Sequence, residues 1–324
     1  MSITNILNRP KLNMLKTSPE KKLPIFARHE TFHPRYGWFK KGYDAVLSDP
    51  YVFSKDNAPV ILGVGKNMVK SIKYWGLAFK LFNESLEKNQ TKRKYELTDF
   101  AAKIFGDDGW DPYLEDPATL WLLHWEFLKL PSKATAWWFA FNRFHRISFT
   151  QEDLFLGLKS YTENQLCGYS IKDSSLLKDI NCLLRMYARN TNKEKIKEDS
   201  LNCPFAELSL LRNYEDSKHF SFNVEKKHNL PAEIIVVACL EYSNLVADTA
   251  GTISASRLLH EPNSPGLIFK LTEASLCEAI QKVSQKNKSI SLAESGGLVQ
   301  FNFLENPKKI SEKIIVKYYK NGKR

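Results

Sequence analysis

One stretch constrains the fold of this chain more than any other. Residues 117–144 read PATLWLLHWEFLKLPSKATAWWFAFNRF, with four tryptophans and four phenylalanines in 28 positions. Pro117 suits the first turn of a helix, and the spacing predicts one from Pro117 to Leu130. The second half, Ala134 to Phe144, carries Trp137, Trp138, Phe139, Phe141 and Phe144 and is too apolar to be solvated, so it is expected to be a buried helix. A helix of that kind needs other elements packed around it. The chain has 324 residues, enough for about two domains or one domain with a helical extension.

Charge is the second constraint. The sequence holds 47 Lys and Arg against 36 Asp and Glu, a net of +11. Residues Met1 to Lys94 contain 18 basic and 7 acidic side chains, while the remaining 230 residues hold 29 of each. A one-signed field on one region suits a polyanion, and nucleic acid is the commonest such partner. A merely solubilising surface is the alternative. The five cysteines, Cys167, Cys182, Cys203, Cys239 and Cys277, are odd in number and form no Cys-x-x-Cys pair, which argues against a disulfide framework, a zinc ribbon and a redox dithiol. A reducing cytoplasm is the expected location. No basic-then-apolar leader stands at Met1 to Ser18, and no apolar run reaches the length of a spanning helix.

The organisation along the chain predicts a mainly helical α+β protein with short β-hairpins. Residues 1–22 lack periodicity and read as a mobile basic arm. Residues 23–150 read as a basic N-terminal domain with helix-turn-helix-like elements, 151–230 as a helical connector with a polar linker at Asn190 to Ser200, and 231–324 as a C-terminal unit. Within the first, Val60 to Leu62 reads as a short strand, Gly63-Val64-Gly65 as a turn, and Met68, Ile72, Trp75, Phe79 and Phe82 as one apolar helical stripe. Leu97-Thr98 supplies a cap for a helix from Asp99 to Phe105, and Thr150 opens another. In the last unit, helices at Ala232–Ala247, Ser254–His260 and Thr272–Val283, with a turn at Pro262–Gly266, precede strands at Ser289–Leu292 and Leu298–Phe303. Three helices followed by a hairpin is the order of a winged helix. The similar settings of the Leu97-Thr98 and Leu271-Thr272 helices allow a second, degenerate winged helix in the N-terminal half.

Three groups of residues could carry chemistry. The Gly63–Asn67 turn departs from a nucleotide-triphosphate loop at two of four positions, Val60 and Asn67, so it reads as a DNA-phosphate contact backed by Lys66, Lys70 and Lys73. Its alternative is a tight turn with solvated lysines. Lys40, Lys41, Asn67, Lys92, Arg93 and Lys94 extend the expected DNA-binding set. The run Arg28-His29-Glu30-Thr31-Phe32-His33-Pro34-Arg35 packs two His, two Arg and one Glu together. His29 or His33 could act as general acid or base, Glu30 could orient it or hold a metal, and Arg28 and Arg35 could clamp a phosphate. The alternative is a polar network tying the arm to the domain. Asp111, Glu115 and Asp116 offer oxygen ligands of the kind that hold Mg²⁺ or Mn²⁺, although Asp111 and Asp116 each precede Pro and have turn and cap roles as the simpler reading. His124, on an apolar helix, reads as a satisfied core histidine.

Four stretches resemble a known family: ARHETFHPRYGWFKKGYDAV at Ala27–Val46, APVILGVGKNMVKSIKYWGLAF at Ala58–Phe79, GWDPYLEDPATLWLLHW at Gly109–Trp125 and NSPGLIFKLTEASL at Asn263–Leu276. They look like the domain of unknown function of SspB-like proteins from bacterial DNA phosphorothioation systems. The resemblance implies a component associated with DNA nicking that acts on double-stranded DNA beside a cysteine desulfurase, an ATPase and an ATP-pyrophosphatase-like protein. It supplies the pathway and no residue roles. The resulting expectation is a DNA-binding, strand-nicking component of a phosphorothioation and defence system. The competing expectation is a non-catalytic DNA-binding adaptor or regulator. Both leave a homodimer open, and neither involves a membrane.

Overall fold

A computed structural model describes residues 24–86, 91–166, 169–188, 203–214, 218–246 and 251–322. The basic arm at 1–22 and the linker at Asn190 to Ser200 lie outside the described residues. The two helices expected from the aromatic stretch form the centre: α5 (Pro117–Leu128) and α6 (Thr135–Asn142), numbered in chain order. Every residue of α6, and every residue of α5 after Pro117, is buried. Burial on all sides obliges their polar atoms to find partners inside the protein. Trp121, Trp125 and Trp138 donate their indole N–H groups to Asn229 Oδ1, Glu241 Oε2 and Asn263 Oδ1 at 3.3, 2.7 and 2.6 Å. His124 Nε2 donates to the Ile268 carbonyl at 3.0 Å and Nδ1 accepts from the Tyr187 hydroxyl at 2.8 Å. Burial holds its pKa down to about 3, so it is neutral in the core as the sequence suggested.

The N-terminal part comprises α1 (Trp38–Ser48), α2 (Ala58–Leu62), α3 (Lys66–Ala78), an antiparallel hairpin of β1 (Phe82–Ser85) and β2 (Lys94–Leu97), and α4 (Asp99–Phe105). Two expectations are corrected. Val60 to Leu62 is the end of helix α2 rather than a strand, because Pro59 opens a helical turn and Gly63, at φ 60°, closes it in the left-handed region. The apolar stripe also leaves its helix early. Helix α3 ends at Ala78, Lys80 turns the chain at φ 58°, and Phe82 belongs to β1. Its ring returns onto the helix at Gly76, where a Cβ would stand 2.1 Å from it. The cap at Thr98 forms as expected, its side chain accepting from the Ala101 N–H.

The middle of the chain holds β3 (Ser148–Thr150), α7 (Gln151–Gln165), α8 (Asp173–Tyr187), β4 (Leu211–Asn213) and β5 (His219–Phe222), the strands lying in the order β3-β5-β4. Thr150 and Asp153 close a capping box on α7. The C-terminal part runs α9 (Ala232–Val246), β6 (Thr252–Ser254), α10 (Ala255–His260), α11 (Pro265–Phe269), α12 (Glu273–Ser284), β7 (Ile290–Ser295), β8 (Leu298–Phe303) and α13 (Pro307–Gly322). The expected hairpin turns at Gly296-Gly297, both at positive φ, and β6 adds a third strand in the order β6-β8-β7. Three elements here were not anticipated: β6, the short helix α11 after the Asn263-Ser264 turn, and α13. The last packs along α9 and buries Ile310, Ile314, Ile315 and Tyr319. Buried side chains of all three parts form one continuous cluster.

Candidate nucleic-acid interface

Helix α3 follows α2 across a three-residue turn and directs Lys66, Asn67 and Lys70 into solvent, with Lys73 half buried on the same face. Burial lowers the Lys73 pKa first. Glu84 opposes that shift, and Arg93, Lys70 and Arg28 add to it. Those couplings place four cations from three separate segments within electrostatic reach: Arg28 of the N-terminal loop, Lys70 and Lys73 of α3, and Arg93 of the hairpin. Two carboxylates temper the patch. Glu30 lies 3.3 Å from Lys70, and Glu84 lies 3.4 Å from Arg93 and 3.7 Å from Lys133. Pairs this open to water are worth about 0–1 kcal/mol each, so a phosphate can replace the carboxylate at little cost.

Other members of the expected DNA-binding set are engaged within the fold. Lys41 Nζ donates to the Leu62 carbonyl at 2.8 Å and ties the end of α2 to α1. Lys40 pairs with Asp44 one turn on at 2.5 Å, and Lys94 with Glu96 at 2.9 Å. Lys92 is exposed beside Arg93.

The His29 cluster is pulled apart. His29 is 0% exposed, and its Nε2 donates to Asp179 Oδ1 of α8 at 2.8 Å. The ring lies between Trp75, stacked at 6.0 Å, and the edge of Trp137 at 5.6 Å. The Ala27 N–H donates to the same Asp179 oxygen at 2.8 Å. Burial raises the Asp179 carboxyl pKa, while His29 and Ala27 pull it back. This arrangement holds a strained loop, since Ala27, Glu30 and Thr31 all have positive φ (54°, 49° and 68°). Arg185 adds a hydrogen bond to the Thr31 carbonyl at 2.7 Å. A side chain with no solvent face cannot touch a phosphodiester, so the catalytic expectation for His29 gives way to its alternative, a network fixing the chain. His33 is buried too, with Nδ1 3.2 Å from the Pro34 carbonyl oxygen. Arg35 lies over the faces of Phe32 and Trp38 at 5.7 and 5.5 Å. Arg28 and Glu30 reach solvent, at the edge of the α3 patch.

The acidic loop serves the turn and cap roles of its simpler reading. Asp111 is buried, and its two oxygens accept the N–H groups of Glu115 and Asp116 at 2.8 and 3.0 Å. Asp116 caps α5 through the Ala118 N–H at 2.9 Å and accepts from the Tyr318 hydroxyl at 3.3 Å. Glu115 points outward. Turn and cap bonds engage both Asp111 oxygens and Asp116 Oδ1, and among the described residues no group of three or more His, Cys, Asp or Glu is placed to hold a metal ion. Asp179 was missed by sequence reasoning. Its available signal was a lone acid on the buried face of α8, between Leu176, Ile180 and Leu183.

Fold and surface define a class: a mainly helical protein with, among the described residues, three small antiparallel sheets and a basic helix beside a hairpin. The chain belongs to the DUF4007 family, described as a protein of unknown function, whose model matches residues 26–319. A solved structure described as SspB crystal structure is 35% identical with a TM-score of 0.87, covering 94% of this chain and 90% of that one. Another, described as magnesium ion-bound SspB crystal structure, is 34% identical with a TM-score of 0.87 over 94% of this chain and 91% of that one. No curated protein matches the sequence.

Proposed function

We propose that this protein is the duplex-DNA-binding component of an SspB-type phosphorothioation system, gripping the backbone with α3 and the adjoining hairpin. The exposed lysine face of α3, joined at its edges by Arg28 and by Arg93, whose carboxylate partner Glu84 also acts on Lys73, carries the reading. Helices α1, α2 and α3 followed by the β1-β2 hairpin have the element order of a winged helix, with α3 where a recognition helix stands. The C-terminal unit follows a related order, with β6 after α9 and paired to β8, and with the short helix α11 inserted before α12. Its corresponding helix, α12, exposes Glu273 and Glu278, and Glu278 is paired with Lys226, so α3 is the better contact for phosphates. The protein would work in the cytoplasm beside the sulfur-mobilising desulfurase, the ATPase and the pyrophosphatase-like enzyme.

The second reading adds strand nicking, favoured by the likeness to a relative described as magnesium ion-bound. It would draw on Arg28 and Glu30 at the patch edge rather than on His29 or the Asp111 loop. Replacing Lys66, Lys70 and Lys73 by Ala tests the main reading. Each lysine on a phosphate contributes roughly 0.9 to the slope of log K against log salt, so the triple variant should lose about 3 from that slope and bind more weakly at every salt. An unchanged slope would remove α3 from the interface. Incubating supercoiled plasmid with the protein, with and without Mg²⁺ and with Glu30→Gln, tests the second: open circles that the variant abolishes support nicking.

A further inference from the structure

Outside the N-terminal region the chain is neutral by count, yet the fold segregates that charge. Residues 307–322 hold five lysines and one acid, Glu312. Lys309, Lys313, Lys317 and Lys320 are all exposed, and at 100° per residue they fall within about 80° of arc at the middle of the solvent face of α13. Spacings of three and four residues set neighbouring positions of the row about 4.5–6 Å apart along the axis, over roughly 16 Å. Lys308 flanks the row. Lys288 stands next to Ser289, whose hydroxyl donates to Glu305 at 2.7 Å, and Lys313 Nζ reaches the same Glu305 at 2.9 Å. Glu305 and Glu312 are thus the carboxylates facing this surface.

Helix electrostatics explains only half of the row. Lys317 and Lys320 near the C-terminus complement the helix dipole, but Lys308 and Lys309 sit in a first turn that holds no acidic residue, with Glu305, just before the helix, shared between Lys309 and Lys313. Their N–H groups are capped by Asn306 Oδ1 at 3.0 and 3.3 Å, so this is the positive end of a formed helix. Cations there cost about 0.3–1 kcal/mol each, which stability alone does not select. The helix is also fixed in place. Tyr319 stacks on Trp110 at 4.7 Å and hydrogen-bonds Thr119 at 2.9 Å, which presents the row as a rigid surface.

We infer that the lysine face of α13 is a second contact for the DNA backbone, separate from α3. The occupant is taken as DNA because a straight row of cations matches the regular charge of a duplex, one negative charge per about 1.7 Å of axis; this choice rests on the function proposed above. The experiment uses the full chain and a mixed-sequence duplex with a fluorescent end label. Binding is titrated against salt for the wild type, for Lys309, Lys313, Lys317 and Lys320 changed together to Gln, and for the α3 triple variant. Circular dichroism confirms that each is folded. The α13 variant should lose about 3.6 from the salt slope and bind at least 10-fold more weakly at low salt. Unchanged binding by it, with loss in the α3 variant, would overturn the second contact and leave the proposed function standing. Loss in the α13 variant alone would support this inference and refute α3 as the interface. A wild type that does not bind duplex DNA would refute both.

Discussion

Substituting His29 by Ala distinguishes a structural from a catalytic role, because the two predict different observables. The imidazole is sealed between Trp75 and Trp137, and it supplies one of two hydrogen bonds to the buried Asp179 oxygen. Removing it leaves a cavity among Tyr74, Trp75 and Trp137 and a buried carboxyl oxygen with only the Ala27 N–H. Breaking a buried pair by deleting one partner costs about 3–5 kcal/mol. A chain of this size loses about 2 °C of melting temperature per kcal/mol, so the midpoint should fall by roughly 6–10 °C. Asp179→Asn keeps an acceptor for both donors and should cost only about 1 kcal/mol, close to one net hydrogen bond. Thermal unfolding followed by circular dichroism measures both, with duplex binding of the folded fraction as the companion readout. Binding per folded molecule should be unchanged. A His29→Ala protein that melts within 1–2 °C of wild type and yet loses a nicking activity would refute the structural account.

Further outcomes follow from the same reasoning. Gly76→Ala drives a methyl into the Phe82 ring and should destabilise the protein by about 1–3 kcal/mol, read by denaturant titration. Asp111→Asn puts an amide donor where two backbone N–H groups already point, so stability should fall equally with and without Mg²⁺; a loss confined to Mg²⁺ buffers would restore the metal reading. Lys270 donates to the Phe141 carbonyl and lies 4.1 Å above the Phe222 ring, and burial first, then Lys227, lowers its pKa to about 7. Lys227 is brought down to about 8, by burial and then by Arg212. Between those values and the unfolded value near 10.5 the unfolded chain binds more protons, so stability should rise with pH from about 7 through 9. The slope should flatten in Lys270→Met, and a stability that falls over this range would contradict the assignment.

The sequence was most legible where one physical signal dominated. Aromatic density in α6, the Thr98 and Thr150 caps, and the Gly296-Gly297 turn each have a local cause, and each appears in the fold. Val60–Leu62 was illegible because three apolar residues have no period; Pro59 decided it. Helix α13 escaped because its apolar positions, Ile310, Ile314, Ile315 and Tyr319, are few and set among five lysines, and their common face is evident only against α9. The site was harder still. Density of His, Arg and Glu at 28–35 is equally the mark of a loop that needs anchoring, and only Asp179, 150 residues away, separates the two readings. The reverse held for α3, whose lysines were visible while their union with Arg28 and Arg93 depended on tertiary packing.

The central claim is that the exposed face of α3 meets duplex DNA. A photoreactive residue in place of Asn67, in the first turn of α3, tests it most directly, with one at Leu156 on α7 as the exposed control. Irradiation with labelled duplex at low salt should give a protein–DNA adduct from position 67 that fades as salt is raised, and none from position 156. Equal adducts from both positions, or none from 67 while the protein still binds DNA, would contradict the account.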